Sequence, residues 1–346
     1  MLRAQVGKPV AVAELQQDRQ VASEVSLADV RALVADEFEL VGQEIKHQIN
    51  SHVPLVETIS SHIVGGGGKR LRPLLVLLTA RCLGLGGRLP AKLAVVIEFL
   101  HTATLLHDDV VDISPTRRGR ETAFFRWGGA ASVLVGDVLF SRAFDLMIEL
   151  ESFEILRQLS RATTKISEGE VAQLAAIGNM SQDQSAYMEV ISAKTASLFE
   201  ISTSTASILA CGTPEVVSSA RQFGLNFGIS YQLIDDLLDY QGHVSRMGKE
   251  PGNDLLEGKL TAPVIHALAN GSKCDAETIR SAFSKRNPGL FTRVQEAVQR
   301  SGGLEYTHDQ AKRYSQKAID YAMALPDNTF RDALVALVEF NLTRHG

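Results

Sequence analysis

Leu105-Leu106-His107-Asp108-Asp109-Val110-Val111-Asp112 and Leu233-Ile234-Asp235-Asp236-Leu237-Leu238-Asp239 set the same acidic pattern into two apolar stretches of this chain. Residues four apart share one face of a helix, so Asp108 pairs with Asp112 and Asp235 with Asp239. Two carboxylates about 5 Å apart repel by about 3 kcal/mol at an effective dielectric of about 20. The neighbours are mainly apolar and supply little water to screen them, so each pair calls for a cation. Only oxygen donors converge, with no Cys or His set beside them. Magnesium fits such donors, because it takes one or two carboxylates and shares its remaining sites with water and phosphate oxygens. Calcium fits less well, since no loop resembles an EF-hand. The expected metal ligands are Asp108, Asp112, Asp235 and Asp239.

Helical periodicity surrounds both clusters, and strand signals are scarce. In Ser26–Leu55 the apolar positions Val30, Leu33, Val34, Phe38, Leu40 and Val41 recur roughly every three to four residues. Ser26 is placed to cap that helix, with Asp29 three positions on. Further helices are expected over Ala131–Leu150 and Ser192–Ala210. Breaks fall at Gly65–Gly68, Gly84–Pro90, Gly128–Gly129, Cys211–Pro214, Gly242–Gly258 and Asn270–Asp275. With no low-complexity linker and no shift in composition, the pattern predicts an all-α fold in one domain over residues 26–346. Residues 1–25 are expected to be a loosely held extension.

A metal-bound polyphosphate needs further cations. Gly65-Gly66-Gly67-Gly68-Lys69-Arg70-Leu71-Arg72-Pro73 supplies Lys69 and Arg72 beside glycines that admit close backbone approach, at a helix start that favours anions. It is not a Walker A loop, because no Lys-Ser or Lys-Thr pair follows the glycines. Arg117-Arg118-Gly119-Arg120 follows the first cluster closely, and arginine binds phosphate in a fork. Lys194 and Thr195 lie on an expected helix. Lys249 and Lys259 flank Gly252-Asn253-Asp254.

Bulk properties remove other classes. The chain has 346 residues, 45% hydrophobic and 22% charged, with a net charge of −5, which gives no basic footprint for nucleic acid. Cys82, Cys211 and Cys274 are odd in number and lack metal-ligand spacing, so reduced thiols in a cytoplasmic protein are expected. Charged residues interrupt each apolar run short of a membrane span, and no secretory leader is expected.

Together these residues resemble the trans-isoprenyl diphosphate synthase family, from about Gly65 to Pro263. The resemblance rests on GGGKRLRP (Gly66–Pro73), HTATLLHDDVVD (His101–Asp112), RRG (Arg117–Gly119), VGD (Val135–Asp137), EGE with a later Gln (Glu168–Glu170, Gln173), KTA (Lys194–Ala196), YQLIDDLLDY (Tyr231–Tyr240) and GNDLLEGKLTAP (Gly252–Pro263). The first cluster is similar to that of the bacterial long-chain branch, the octaprenyl diphosphate synthases that supply quinone side chains. The resemblance implies a homodimeric isoprenoid synthase helical bundle around a central cavity. It also implies about two or three magnesium ions per active site. Asp108, Asp112, Asp235 and Asp239 would hold metal on an allylic diphosphate, with farnesyl diphosphate as the expected primer. Lys69, Arg72, His101 and Arg118 would hold isopentenyl diphosphate. Arg117, Lys194, Lys249 and Lys259 would contact the allylic diphosphate, and Thr195 and Gln232 would line the reacting carbons. Where the family often has Glu-Ser-Asp after the first cluster, this chain has Ile113-Ser114-Pro115, which removes one acidic charge beside the arginines.

The residues permit ionisation of an allylic diphosphate, with cations stabilising the departing charge. Isopentenyl diphosphate then attacks and a proton leaves. No nucleophilic serine setting competes with this reading. Ala103 and Thr104 lie about one turn below Asp108. In the family, an aromatic ring there closes the cavity floor; both residues are small here, so a long product is expected. A helix of about twenty residues spans about 30 Å, deep enough for about eight isoprene units, with nine or ten as neighbouring outcomes. Phe140, Phe144, Leu146 and Met147 are candidates for the floor. The product is expected to partition into membranes. A terpene cyclase would not need Lys69, Arg72 and His101, and a non-catalytic partner subunit would typically lose aspartates that are intact here.

Overall fold

The computed structural model describes residues 26–241 and 252–344. The chain is a succession of helices: α1 (Leu27–Ala32), α2 (Ala35–Ile49), α3 (Pro54–Val64), α4 (Leu71–Cys82) and α5 (Arg88–Val111). A hairpin of β1 (Thr116–Arg117) and β2 (Arg120–Glu121) leads to α6 (Ala123–Trp127), α7 (Gly129–Ile148), α8 (Phe153–Ala176) and α9 (Gln184–Ile191). A π-helical turn, Ser192–Ala196, joins α9 to α10 (Ser197–Leu209). Then come α11 (Pro214–Gln241), α12 (Asn253–Glu257), α13 (Ala262–Asn270), α14 (Lys273–Lys285), α15 (Phe291–Arg300), α16 (Gly303–Ala322) and α17 (Thr329–Leu342). The only strands among the described residues are the two-residue pair of the hairpin.

Local signals explain most boundaries. Ser26 accepts from the backbone of Asp29, whose side chain returns to the Ser26 N–H, completing the capping box. The helix expected over Ser26–Leu55 is divided, however. It is interrupted at Leu33–Val34, and α2 ends at Asn50, whose ψ of 132° is extended. Pro54 then opens α3 at a position where its missing N–H costs nothing.

Two buried apolar clusters form the core. The first draws on α2, α4, α5, α7, α8, α10 and the N-terminal half of α11, down to Phe227. The second draws on the C-terminal half of α11, from Ile229 to Tyr240, with α13 to α16. Helix α11 therefore threads both. Helix α5 is apolar and long enough to cross a bilayer, but 67% of its most apolar window is buried within the fold. All three cysteines are free thiols, with Cys82 buried and the other two exposed.

Phe227 lies at the junction of the two clusters and is fully buried. Its ring meets Phe199 edge-on at 5.3 Å between centroids, with Phe223 at 6.1 Å and Tyr231 at 6.3 Å. Phe227→Ala is expected to lower stability by about 3–5 kcal/mol, from lost burial plus a residual cavity. Denaturant unfolding measures this, and a loss below about 1 kcal/mol would show that the aromatic cluster closes over the gap.

Candidate active site

A cavity of about 250 Å³ opens between the C-terminal end of α5, helices α8, α9 and α11, the π turn, and the segment 254–261. Asp108 and Asp112 both line it, as their spacing predicts. Each carboxylate is met by an ammonium group from a distant part of the chain. Lys194 Nζ lies 3.3 Å from Asp108, and also 2.5 Å from Glu170 and 2.9 Å from Gln173 Oε1. Lys259 Nζ lies 2.9 Å from Asp112 and 2.7 Å from Glu257. Burial opposes the charge on Lys259, but Glu257 and Asp112 outweigh it and raise its pKa. Burial and the nearby Asp108 raise the Glu170 pKa, against the pull of Lys194. The middle residue, Asp109, is fully buried and accepts from Arg117 Nε at 2.8 Å.

This contact ties the end of α5 to the hairpin. Ile113 adopts a left-handed φ of 51°, and the tip residues Arg118 and Gly119 have φ of 52° and 73°. Two consecutive left-handed residues make the tight turn that suits a twisted hairpin. Ile113-Ser114-Pro115 thus leads directly into a clip that presents Arg117 to the cavity. Arg118 turns instead to the glycine loop and donates to the Gly67 carbonyl.

Lys194 and Thr195 sit in the π turn, whose extra residue lets neighbouring side chains face one cavity. Two glycines admit its backbone. A Cβ on Gly169 would lie 2.9 Å from the Cβ of Ala193, and one on Gly228 would lie 2.6 Å from the Cα of Ala196. Gly228→Ala is expected to displace the turn and cut kcat by about a hundredfold, as misplacement by about 1 Å can. Steady-state kinetics test this, and unchanged turnover would show that the turn yields without consequence.

The second cluster is arranged differently from the first. Asp235 pairs with Arg344 at 2.7 Å. Asp239 accepts the backbone N–H groups of Gly252, Asn253 and Asp254, each at 3.2 Å, which fastens the start of α12. Of the second cluster only Asp236 lines the cavity, joined there by Asp254 from the start of α12. Burial pushes the Asp236 carboxyl up to about 7, against the hydrogen bonds from Tyr187 and Gln232. Burial and the neighbouring Asp239, Asp236 and Glu257 push Asp254 well up. Gln232 and Thr195 both line the cavity, and Thr195 Oγ1 donates to Gln232 Oε1 at 2.9 Å. Lys249 lies outside the described residues.

The remaining cations gather around His101, two turns before Asp108 on the same face of α5. Arg72 Nη1 is 3.3 Å from His101 Nε2, and its guanidinium stacks 4.1 Å from the centre of the Phe199 ring. Burial, then Arg72, Arg118 and Arg117, hold the His101 pKa well below its usual value, so the imidazole is neutral. Glu98, on α5, lies 3.9 Å from Arg70. Its pKa is raised by burial, against Arg70, Arg72 and Arg118. Lys69 rests 4.8 Å from the Phe340 ring, and its pKa is lowered by half-burial and by Arg344, against Asp235. Lys69, Arg72, His101 and Arg118 therefore share one electropositive region, which also takes in Arg344.

The chain-length candidates lie away from this cavity's lining. Ala103 is fully buried, and half-buried Thr104 donates to the His101 carbonyl at 2.8 Å. Leu146 and Met147 are fully buried in the first core, while Phe140 and Phe144 pack against it with rings 5.7 Å apart.

The signature of the polyprenyl synthetase family matches residues 53–300, which include both acidic clusters and every described cation named above except Arg344. The chain belongs to this family. It is similar to the octaprenyl diphosphate synthase of Escherichia coli, with 42% identity over 321 residues that cover 92% of this chain and 99% of that one. It is also similar to the all-trans-nonaprenyl-diphosphate synthase (geranyl-diphosphate specific) of Rhodobacter capsulatus, with 43% identity over 91% of this chain and 97% of that one. The crystal structure of the Caulobacter crescentus polyprenyl synthase, complexed with calcium and isoprenyl diphosphate, superposes with a TM-score of 0.89. It has 40% identity and covers 94% of this chain and 99% of that chain. This synthase is thus a trans-prenyltransferase with the all-α isoprenoid synthase fold.

Several residues of the synthase's site carry no motif signal. Arg344 reaches Asp235 from 109 residues away, and Tyr187 reaches Asp236 from 49. Glu170 and Gln173 stand in the motif pattern, but only the fold shows that they hold Lys194. The donors that face the cavity are carboxylate oxygens, which suit a hard divalent cation. Among the described residues no three acidic, His or Cys side chains form a ready metal cage. Lys194 and Lys259 occupy the flanks of Asp108 and Asp112 where such a cation would bind.

Proposed function

We propose that this synthase makes long-chain all-trans polyprenyl diphosphates by adding isopentenyl diphosphate units to an allylic primer, farnesyl diphosphate. The product is octaprenyl diphosphate, destined for quinone side chains and for partition into the membrane. The observation that carries this reading is a pair of distinct charged regions that follow one another along the same face of α5. One holds Asp108, Asp112, Arg117, Lys194 and Lys259. The other holds Lys69, Arg72, His101 and Arg118. Two diphosphates need two such regions; ionisation alone needs one.

Asp108 and Asp112 are the main magnesium ligands in this reading, with Asp235 and Asp239 joining when Arg344 and the α12 backbone yield them. Bound magnesium supplies positive charge against the diphosphate leaving group. Lys194 and Lys259 turn from their carboxylates to diphosphate oxygens, and Arg117 is held for the same purpose by Asp109. Neutral His101 accepts or donates one hydrogen bond without adding repulsion to Arg72. Ala103 and Thr104 leave room for the growing chain, and Phe144 and Met147 lie deeper along its course. The enzyme works as a cytoplasmic homodimer, with residues 1–25 as an extension to the catalytic domain.

Incubation with farnesyl diphosphate, labelled isopentenyl diphosphate and magnesium, followed by sizing of the products, tests this. A ladder ending at the octaprenyl product is expected. A nonaprenyl or decaprenyl end point would correct the length alone. No elongation, or a cyclic hydrocarbon, would overturn the reading.

A further inference from the structure

Along the wall of the cavity runs a chain of hydrogen bonds that joins α9, the π turn and α11. The Tyr187 phenol donates to one oxygen of Asp236. Gln232 Nε2 donates to the other at 2.8 Å, and Thr195 Oγ1 donates to Gln232 Oε1 at 2.9 Å. Tyr187 and Asp236 are each only 3% exposed, so bulk water does not substitute for these partners.

The direction of this chain follows from what each group can do. Asp236 accepts the Tyr187 proton on one oxygen and the Gln232 amide nitrogen on the other, so Gln232 turns its nitrogen towards Asp236. Its carbonyl then faces Thr195 and claims the single hydroxyl proton. What Thr195 has left is a pair of acceptor sites, and Thr195 lines the cavity. A flipped amide would reverse the order. Gln232 would then donate to Thr195 and free the hydroxyl proton to face the cavity.

We propose that Tyr187 and Asp236 are positioning residues that set the polarity of the Gln232–Thr195 pair, so that oxygen lone pairs rather than protons face the reacting allylic carbons. The inference rests on the elongation reading above, in which those carbons become electron-poor as the diphosphate departs. Dipoles fixed before the reaction stabilise that charge without reorganising during it. Tyr187 holds the second carboxylate oxygen, so that Asp236 does not swing away from Gln232.

The test is a double-mutant cycle. Asp236→Asn, which lets the amide flip, is expected to lower kcat by about thirtyfold with KM within about twofold, and Tyr187→Phe to lower it by about tenfold. In a Gln232→Leu background either change is expected to cost less than about twofold, because the group they orient is gone. Equal losses in both backgrounds, or wild-type kcat in Asp236→Asn, would overturn the proposal. A second readout does not depend on turnover. In protein labelled with 15N at glutamine, the Gln232 side-chain amide signal, identified by its absence from Gln232→Leu, is expected to shift in both variants. An unmoved signal would overturn the relay whatever the enzyme makes. An inactive wild-type enzyme would overturn the elongation reading and the relay's purpose with it, leaving the hydrogen bonds to be judged by that signal.

Discussion

Asp108→Ala is expected to lower kcat/KM by about 10³–10⁴-fold, the loss of about 4–5 kcal/mol of transition-state stabilisation by an anchored cation. The geometry makes this variant informative. Lys194 keeps Glu170 at 2.5 Å and Gln173 at 2.9 Å when Asp108 is removed, so the ammonium stays in place and the defect reports the missing carboxylate. Incorporation of labelled isopentenyl diphosphate at several magnesium concentrations measures it. Demand for magnesium should rise as turnover falls. Near-wild-type turnover would remove Asp108 from the metal site.

Ala103→Tyr is expected to stop chain growth several isoprene units early. The residue lies five positions before Asp108, about 7–8 Å down the helix axis, on the path that a growing chain would take. Ala103 is fully buried, which gives the new ring two possible destinations. In the tunnel it shortens the product and leaves unfolding unchanged. In the core it overpacks, costing about 1–3 kcal/mol of stability, and leaves product length alone. Sizing the products beside a denaturation curve separates the two, and unchanged length would refute the open-tunnel argument.

The same particulars show what was legible in the sequence. The first acidic pair was, because i and i+4 on one helix must share a face and both Asp108 and Asp112 reach the cavity. The capping box at Ser26 was, because it is local. The second cluster was legible only in part. Its spacing fixes which aspartates travel together, but not which side of α11 meets the cavity. Packing decides that, and it turns Asp236 inwards and gives Asp235 to Arg344. Arg344 and Tyr187 had no local signal at all, since their partners lie in other parts of the chain. The helix interruption at Leu33–Val34 was hidden by an apolar periodicity that continues across it.

Helix α11 carries Phe227 in one core, Gln232 and Asp236 at the site, and Tyr240 in the other core. Exchange of its backbone amides with solvent therefore requires that both cores loosen, which places it among the slowest-opening parts of the molecule. The hairpin 116–121 is different: it is short and mostly exposed, held by Arg117 on Asp109 and by side-chain bonds to the glycine loop rather than by a core. It belongs to the parts that open cheaply. A substrate entering this enzyme thus meets one jaw that yields and one that does not. In the proposed reaction the yielding jaw would grip phosphate, where charge forgives imprecision, and the unyielding one would face the carbon that must be placed to within a fraction of a bond length.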